Sequence, residues 1–106
     1  MMGREPEKPI GREAAARLVI IQEQDFVTAR QLHAFLAREL GFPDYYGGNF
    51  AALADCLGDI DSTTRIVLMP DRDTRKAHWF DTFVRVIVRA AEDNPFLAVT
   101  RHVVKP

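Results

Sequence analysis

Three short apolar runs punctuate the chain, Leu18-Val19-Ile20-Ile21, Ile66-Val67-Leu68-Met69 and Phe96-Leu97-Ala98-Val99. They are continuous rather than alternating, the pattern of strands covered on both faces or lying in a parallel sheet. Between the first two runs the period lengthens to that of a helix. Thr28 stands three residues before Gln31, a capping-box spacing, and Leu32, Phe35, Leu36 and Leu40 then recur on one helical face. Gly41 suits the left-handed residue just past the last turn, Phe42 can fold back onto the helix, and Pro43 forbids continuation.

A second, shorter helix is predicted between Asn49, a good N-cap, and Gly58, a terminator. Phe50, Leu53 and Leu57 share a face at i, i+3 and i+7, which assigns that face to the core. At about 100° per residue, Asp55 lies almost opposite this stripe, with Ala51 and Ala52 on its flanks and Ala54 nearer the boundary. Asp55 is therefore expected in solvent. A third helix, between Asp73 and Ala91 with a ragged start, aligns Phe80, Phe83, Val84 and Ile87 and leaves Trp79, Val86 and Val88 off the stripe.

The order strand–helix–helix–strand–helix–strand, with right-handed crossovers, predicts an α/β two-layer domain. Its sheet has three parallel strands in the order 1-2-3, with the helices packed on one face. Arg101 and His102 break the last apolar run and can belong to an exposed end. The uncovered face of the sheet is expected to be partly amphipathic.

A chain of 106 residues suffices for one domain and not for two. Residues 1–16 read as a flexible N-terminal extension, because Pro6, Pro9 and the charges around them leave little apolar area to repay chain ordering, with at most a local helical turn at Ala14 to Ala16. Residues 17–106 form the domain. With 14 basic and 15 acidic residues, the overall charge points neither to nucleic acid nor to an anionic membrane. No apolar run approaches the roughly 18–20 residues needed to span a bilayer, and the first residues lack the continuous hydrophobic segment that a secretory signal requires, so neither export nor membrane insertion is expected. The single Cys56 excludes an internal disulfide and fits a reducing compartment, so a cytoplasmic location is expected.

The informative electrostatics are local. From Glu39 to Thr64 the chain carries Glu39, Asp44, Asp55, Asp59 and Asp61 but no Lys or Arg, an asymmetry that points to a cationic partner. Signs of catalysis are sparse. His33, His78 and His102 have no metal-ligand spacing with Cys56, so neither metal nor cofactor is expected, and His33 is placed at the polar boundary of its helix. Asp71-Arg72-Asp73 after Pro70 reads as a turn and helix cap. Cys56 has only acids nearby, which raise a thiol pKa, so it reads as an inert, partly buried thiol.

Gly47-Gly48 lacks the Lys and Ser or Thr of a phosphate loop and serves instead a tight loop that brings Tyr45 and Tyr46 to the surface. Arg72, Arg75, Lys76, Arg85 and Arg89 alternate with Asp71, Asp73 and Asp81, as on a solvated helix face rather than a nucleic-acid patch. Tyr45, Tyr46 and Asp55 have the chemistry of an interface, since tyrosines are rigid amphipathic anchors. On residues alone, the reading in which one tyrosine packs beneath the loop and Asp55 is ordinary surface stands equally.

Leu32-His33 and the run Pro43 to Leu57, with its YYG-x-N-x-x-x-L-x-D-x-L pattern, resemble the barstar family of ribonuclease inhibitors, and the likeness extends over roughly Arg17 to Val104. The resemblance implies the same sheet and helix order. It also implies that an acidic helix and its preceding loop enter a basic ribonuclease active site, where carboxylates meet the cations that hold RNA phosphate. Tyr45 matches the family's loop tyrosine and Asp55 the helix aspartate that dominates binding. Ala51 stands where the family has another interfacial aspartate, Ala54 where it has a tryptophan, and Arg89 near an interfacial glutamate, with Asp93 able to supply a carboxylate at that edge.

The partner-binding set implied in this way comprises Tyr45, Tyr46, Gly47, Gly48, Asn49, Ala51, Ala52, Ala54, Asp55, Asp59, Arg89 and Asp93. The expected function is inhibition of a cationic ribonuclease by a protein that is monomeric when free, performs no catalysis, and binds neither nucleic acid nor membrane directly. Two alternatives stand beside it, a general interaction module that has kept the fold without inhibiting ribonuclease and, more remotely, a small acid/base enzyme.

Overall fold

The computed structural model describes residues 16–70 and 78–102. The first strand, β1 (Arg17–Gln22), runs through a single 3-10 turn (Glu23–Asp25) into α1 (Ala29–Leu40) and α2 (Phe50–Gly58). Then follow β2 (Thr64–Met69), α3 (His78–Asp93) and β3 (Leu97–Arg101). All strand pairs are parallel, in the order β1-β2-β3, with Val19 beside Ile66 and Ile66 beside Val99. This is the two-layer α/β arrangement expected from the pattern.

The local signals act as the chemistry requires. Thr28 accepts from the Gln31 N–H at 3.2 Å while the Gln31 side chain accepts from the Thr28 N–H at 3.2 Å, closing the capping box of α1. Gly41 takes φ +68°, where a Cβ would be strained, and Phe42 returns its N–H to the Ala37 carbonyl at 2.9 Å. Arg17 Nη1 donates to the Leu40 carbonyl at 2.9 Å and so ties the end of α1 to the start of the sheet.

The core forms where the inner face of the sheet (Val19, Ile21, Ile66, Leu68, Leu97) meets Leu32, Leu36 and Leu40 of α1, Leu53 and Leu57 of α2, and Phe80, Phe83, Val84 and Ile87 of α3. The α3 stripe is the expected one, although the helix runs to Asp93 rather than Ala91. Its expected start near Asp73, the Asp71-Arg72-Asp73 turn, Arg72, Arg75, Lys76 and the extension up to Ala15 lie outside the described residues.

Of the two arrangements that the continuous apolar runs allowed, the parallel sheet holds: helices cover one face and bury Val19 and Ile21, while Leu18 is 57 % and Ile20 47 % exposed on the other. Continuity reflects the parallel ladder alone, with helices on one side. Phe96 lies exposed ahead of β3, and Arg101, though it ends that strand, is exposed together with His102. Gly58 is the last residue of α2 and has no positive φ; Asp59 follows it as a right-handed cap whose N–H returns to the carbonyls of Asp55 and Cys56.

One buried polar residue fastens the C-terminal end of α2. Asn94 donates through Nδ2 to the carbonyls of Leu57 and Ile60, each at 3.0 Å, and accepts from the Phe96 N–H at 2.9 Å. A single amide thus satisfies the end of α2 and the turn into β3, groups that would otherwise be costly to bury.

Candidate functional site

Asn49 sets the start of α2: its backbone is extended, its Oδ1 accepts from the Ala52 N–H at 2.8 Å, and its carbonyl takes the Leu53 N–H at 2.9 Å. The loop before it turns where the Tyr46 N–H meets the Pro43 carbonyl at 2.9 Å, and Gly48 at φ +70° supplies the left-handed residue that admits the chain to the cap. Leu53 and Leu57 are fully buried, and this alone turns Asp55 outward. Ala51 and Ala54 are also exposed and Ala52 is half-buried; Ala54 is therefore more open than its expected boundary position.

The two tyrosines part company. Tyr45 is 85 % exposed. Tyr46 is half-buried: its ring packs on Phe42 and its hydroxyl is hydrogen-bonded to Nδ1 of His33. The glycine loop therefore brings one tyrosine to the surface and turns the other inward as an anchor. His33 is not at a polar boundary either; it is 6 % exposed and stacks among Phe50, Phe83 and Tyr46, with its ring centroid 4.6 Å from that of Phe83.

Burial lowers the His33 pKa below 6.5, so the ring is neutral, and raises the Tyr46 phenol to about 12, with Cys56 adding a smaller push. With Nε2 protonated, the phenol O–H donates to Nδ1. This pair gives stability a defined pH dependence. Unfolded His33 takes up a proton near pH 6.5 and the folded ring resists it, so its contribution is lost as pH falls from there towards the folded pKa. For Tyr46 the contribution is lost as pH rises from 10.0 to about 12. Urea midpoints measured across pH are expected to fall on both flanks, and His33→Gln is expected to flatten the acid flank just below pH 6.5. An unchanged acid slope in that variant would assign it to other groups.

Around this anchor the acidic side chains stand free. Asp44, Asp55, Asp59 and Asp61 are exposed, and among the described residues none has a cation within 4.0 Å, whereas Glu39 pairs with Arg38 at 3.6 Å. Cys56 is half-buried, and burial, with Asp59 and then Asp55 beside it, pushes its thiol pKa up, so the thiol keeps its proton. Among the described residues no three His, Cys, Asp or Glu side chains gather as a metal site, and no helix is long and apolar enough to cross a membrane.

Two grooves flank α2, and sequence reasoning had no signal for either. One, of about 650 Å³, runs between α1 and the loop, lined by Ala29, Arg30, Ala34 and Ala37 against Tyr46, Gly47, Gly48 and Asn49. The other, of about 420 Å³, lies between α2 and α3 and gathers Ala54, Arg89 and Asp93, all three singled out by sequence, with Arg85, Val86 and Ala90. The first groove lies between α1 and the loop, Tyr45 and Asp55 are exposed on the loop and α2, and Arg89 and Asp93 line the second groove from α3.

With this geometry in place, comparison with known families is decisive: the family described as Barstar (barnase inhibitor) matches residues 16–102. The chain belongs to the barstar family. A Bacillus subtilis (strain 168) protein named "Putative ribonuclease inhibitor YrdF" is 39 % identical to it over 80 residues, which cover 73 % of this chain and 88 % of that protein. At the level of the family, this barstar-like chain stands among ribonuclease inhibitors, proteins that bind an enzyme and are not enzymes themselves.

Proposed function

We propose that this barstar-family chain inhibits a cationic ribonuclease by laying the 43–49 loop and α2 across its substrate cleft. The observation that carries this reading is Asp55, an exposed carboxylate turned outward by buried Leu53 and Leu57, with no cation paired to it among the described residues. Asp59, one turn further on, continues the same negative surface, and Tyr45 on the preceding loop supplies an exposed rigid aromatic. Such a surface steers a cationic cleft during encounter and then fills the positions where RNA phosphates would lie. Gly47, Gly48 and Asn49 shape the approach, and Ala51, Ala52 and Ala54 allow the partner close to the helix backbone. The protein acts as a monomer in the cytoplasm, needs no metal or cofactor, and touches neither nucleic acid nor membrane directly. Acid/base catalysis finds no support, because His33 is buried on Tyr46 and Asp55 has no hydrogen-bonded base among the described residues.

The test is a ribonuclease assay in which the chain is titrated into barnase and into any ribonuclease encoded beside it. Barnase is expected to be inhibited far less tightly than by barstar itself, because Ala51 and Ala54 lack the family's larger interfacial groups and Arg89 reverses a charge. Each carboxylate missing opposite a desolvated cation costs about 2–5 kcal/mol, a range that the barnase–barstar pair itself helped to set. Inhibition of barnase as tight as barstar's would sink the specificity reading, and failure to inhibit either enzyme would sink the function.

A further inference from the structure

The groove between α2 and α3 is electrostatically unlike the rest of the surface around Asp55. Its floor is apolar and small, formed by Ala54, Val86 and Ala90, and its α3 wall carries Arg85 and Arg89 one helical turn apart, with Asp93 one turn beyond them. Both arginines are exposed. Among the described residues Arg85 meets no carboxylate, only the Thr82 hydroxyl at 3.3 Å, and Arg89 has a single loose contact with Asp93 at 4.0 Å, in which both side chains are more than three-quarters exposed. A surface pair of that kind is worth little and exchanges readily for a better anion. Two adjacent guanidinium groups present forks that match a carboxylate, and the apolar floor beside them accepts a side chain's methylene groups. At about 420 Å³ the groove holds far more than the roughly 30 Å³ share of one water.

We infer that this groove receives an acid-tipped segment of the partner, a Glu or Asp side chain with an apolar neighbour, held by Arg85 and Arg89 over the Ala54 floor. The inference rests on the ribonuclease reading and sharpens it: the enzyme presents cations to Asp55 and Asp59 and, one groove away, a carboxylate to α3. The inhibitor surface is then bipolar, and it selects ribonucleases whose cleft is bordered by an acid. Charge complementarity identifies the occupant, since neither a basic nor a purely apolar segment would satisfy the two arginines.

The full chain, labelled with nitrogen-15, is titrated with the blocked dipeptide acetyl-Leu-Glu-amide and with its Leu-Gln and Leu-Lys counterparts, while amide shifts are followed. The Leu-Glu peptide is expected to move Ala54, Gly58 and Ala90 saturably, and the other two at least fivefold less. Arg85→Gln/Arg89→Gln and, separately, Ala54→Trp, which fills the groove, are expected to abolish the response; Asp55→Ala is expected to leave it intact. Equal responses to all three peptides, or none, overturn the inference. So do shifts of the same amides with protein concentration alone, which assign the groove to a second copy. In the ribonuclease assay, Arg85→Gln/Arg89→Gln is expected to weaken Asp55-dependent inhibition at least tenfold. Unchanged inhibition there overturns the groove's role while the ribonuclease reading stands, and a chain that inhibits no ribonuclease but binds the Leu-Glu peptide shows the reverse.

Discussion

Asp55→Ala is expected to weaken binding to the target ribonuclease by about 30-fold to several thousandfold, the span that corresponds to about 2–5 kcal/mol for truncating one member of a desolvated charge pair. The loss comes mainly from the enzyme's side, where a cation is left buried without its anion. Nothing in the free protein leans on this carboxylate, which is exposed and has no ion-pair partner among the described residues. Its removal should therefore change folding stability by only about 0.5 kcal/mol. Calorimetric titration of wild type and variant, repeated from low to high salt, checks both halves: affinity should fall as salt screens the encounter, and the salt slope should be shallower in the variant. Unchanged affinity on Asp55→Ala would remove α2 from the interface.

Leu53→Ala is expected to do the opposite, costing about 2–5 kcal/mol of folding stability because a fully buried side chain leaves a cavity beneath α2. For a domain of this size that corresponds to a fall in melting temperature of at least about 8 °C, at some 4–8 °C per kcal/mol. Denaturant unfolding of Leu53→Ala and Asp55→Ala side by side measures the contrast. Equal losses would mean that the helix presents a different face to the core. Leu53 and Asp55 are two positions apart, so the contrast also tests the division of α2 into an anchoring face and a recognition face.

Much of this layout could be read from residues, and what could not has a common cause. Thr28 with Gln31, Gly41 with Phe42, and Asn49 act within a few residues of themselves, so their spacing alone fixed where α1 and α2 begin and where α1 ends. Phe80, Phe83, Val84 and Ile87 announced the buried side of α3 by period. His33 was different: its burial depends on Phe50, Phe83 and Tyr46, which reach it from three other segments, and no local pattern records that convergence. One of the two equal readings had a single tyrosine pack beneath the loop, and Tyr46 does so while Tyr45 stays out; which of the two turns in depends on the same remote partners. An uncovered sheet face was expected, but which residues of β1 lie on it was hidden, because Leu18 and Ile20 are as apolar as the buried Val19 and Ile21. Within the candidate site, Tyr45 and Asp55 were legible as exposed groups; the groove that joins Ala54 to Arg85 and Arg89 was not, since its walls are remote in sequence.

Asn94 presents almost nothing to a partner, being 6 % exposed, yet its amide holds the carbonyls of Leu57 and Ile60 and so fixes where α2 ends before any enzyme arrives. A recognition helix that is already immobile gives up little conformational freedom on docking, and affinity that would be spent on ordering it is retained. On the proposed interface, inhibitory strength would depend on rigidity as well as on charge. A change at Asn94 would loosen the helix terminus and speed release of the enzyme with every contact residue still in place, a form of weakening that no inspection of the interface alone would foresee.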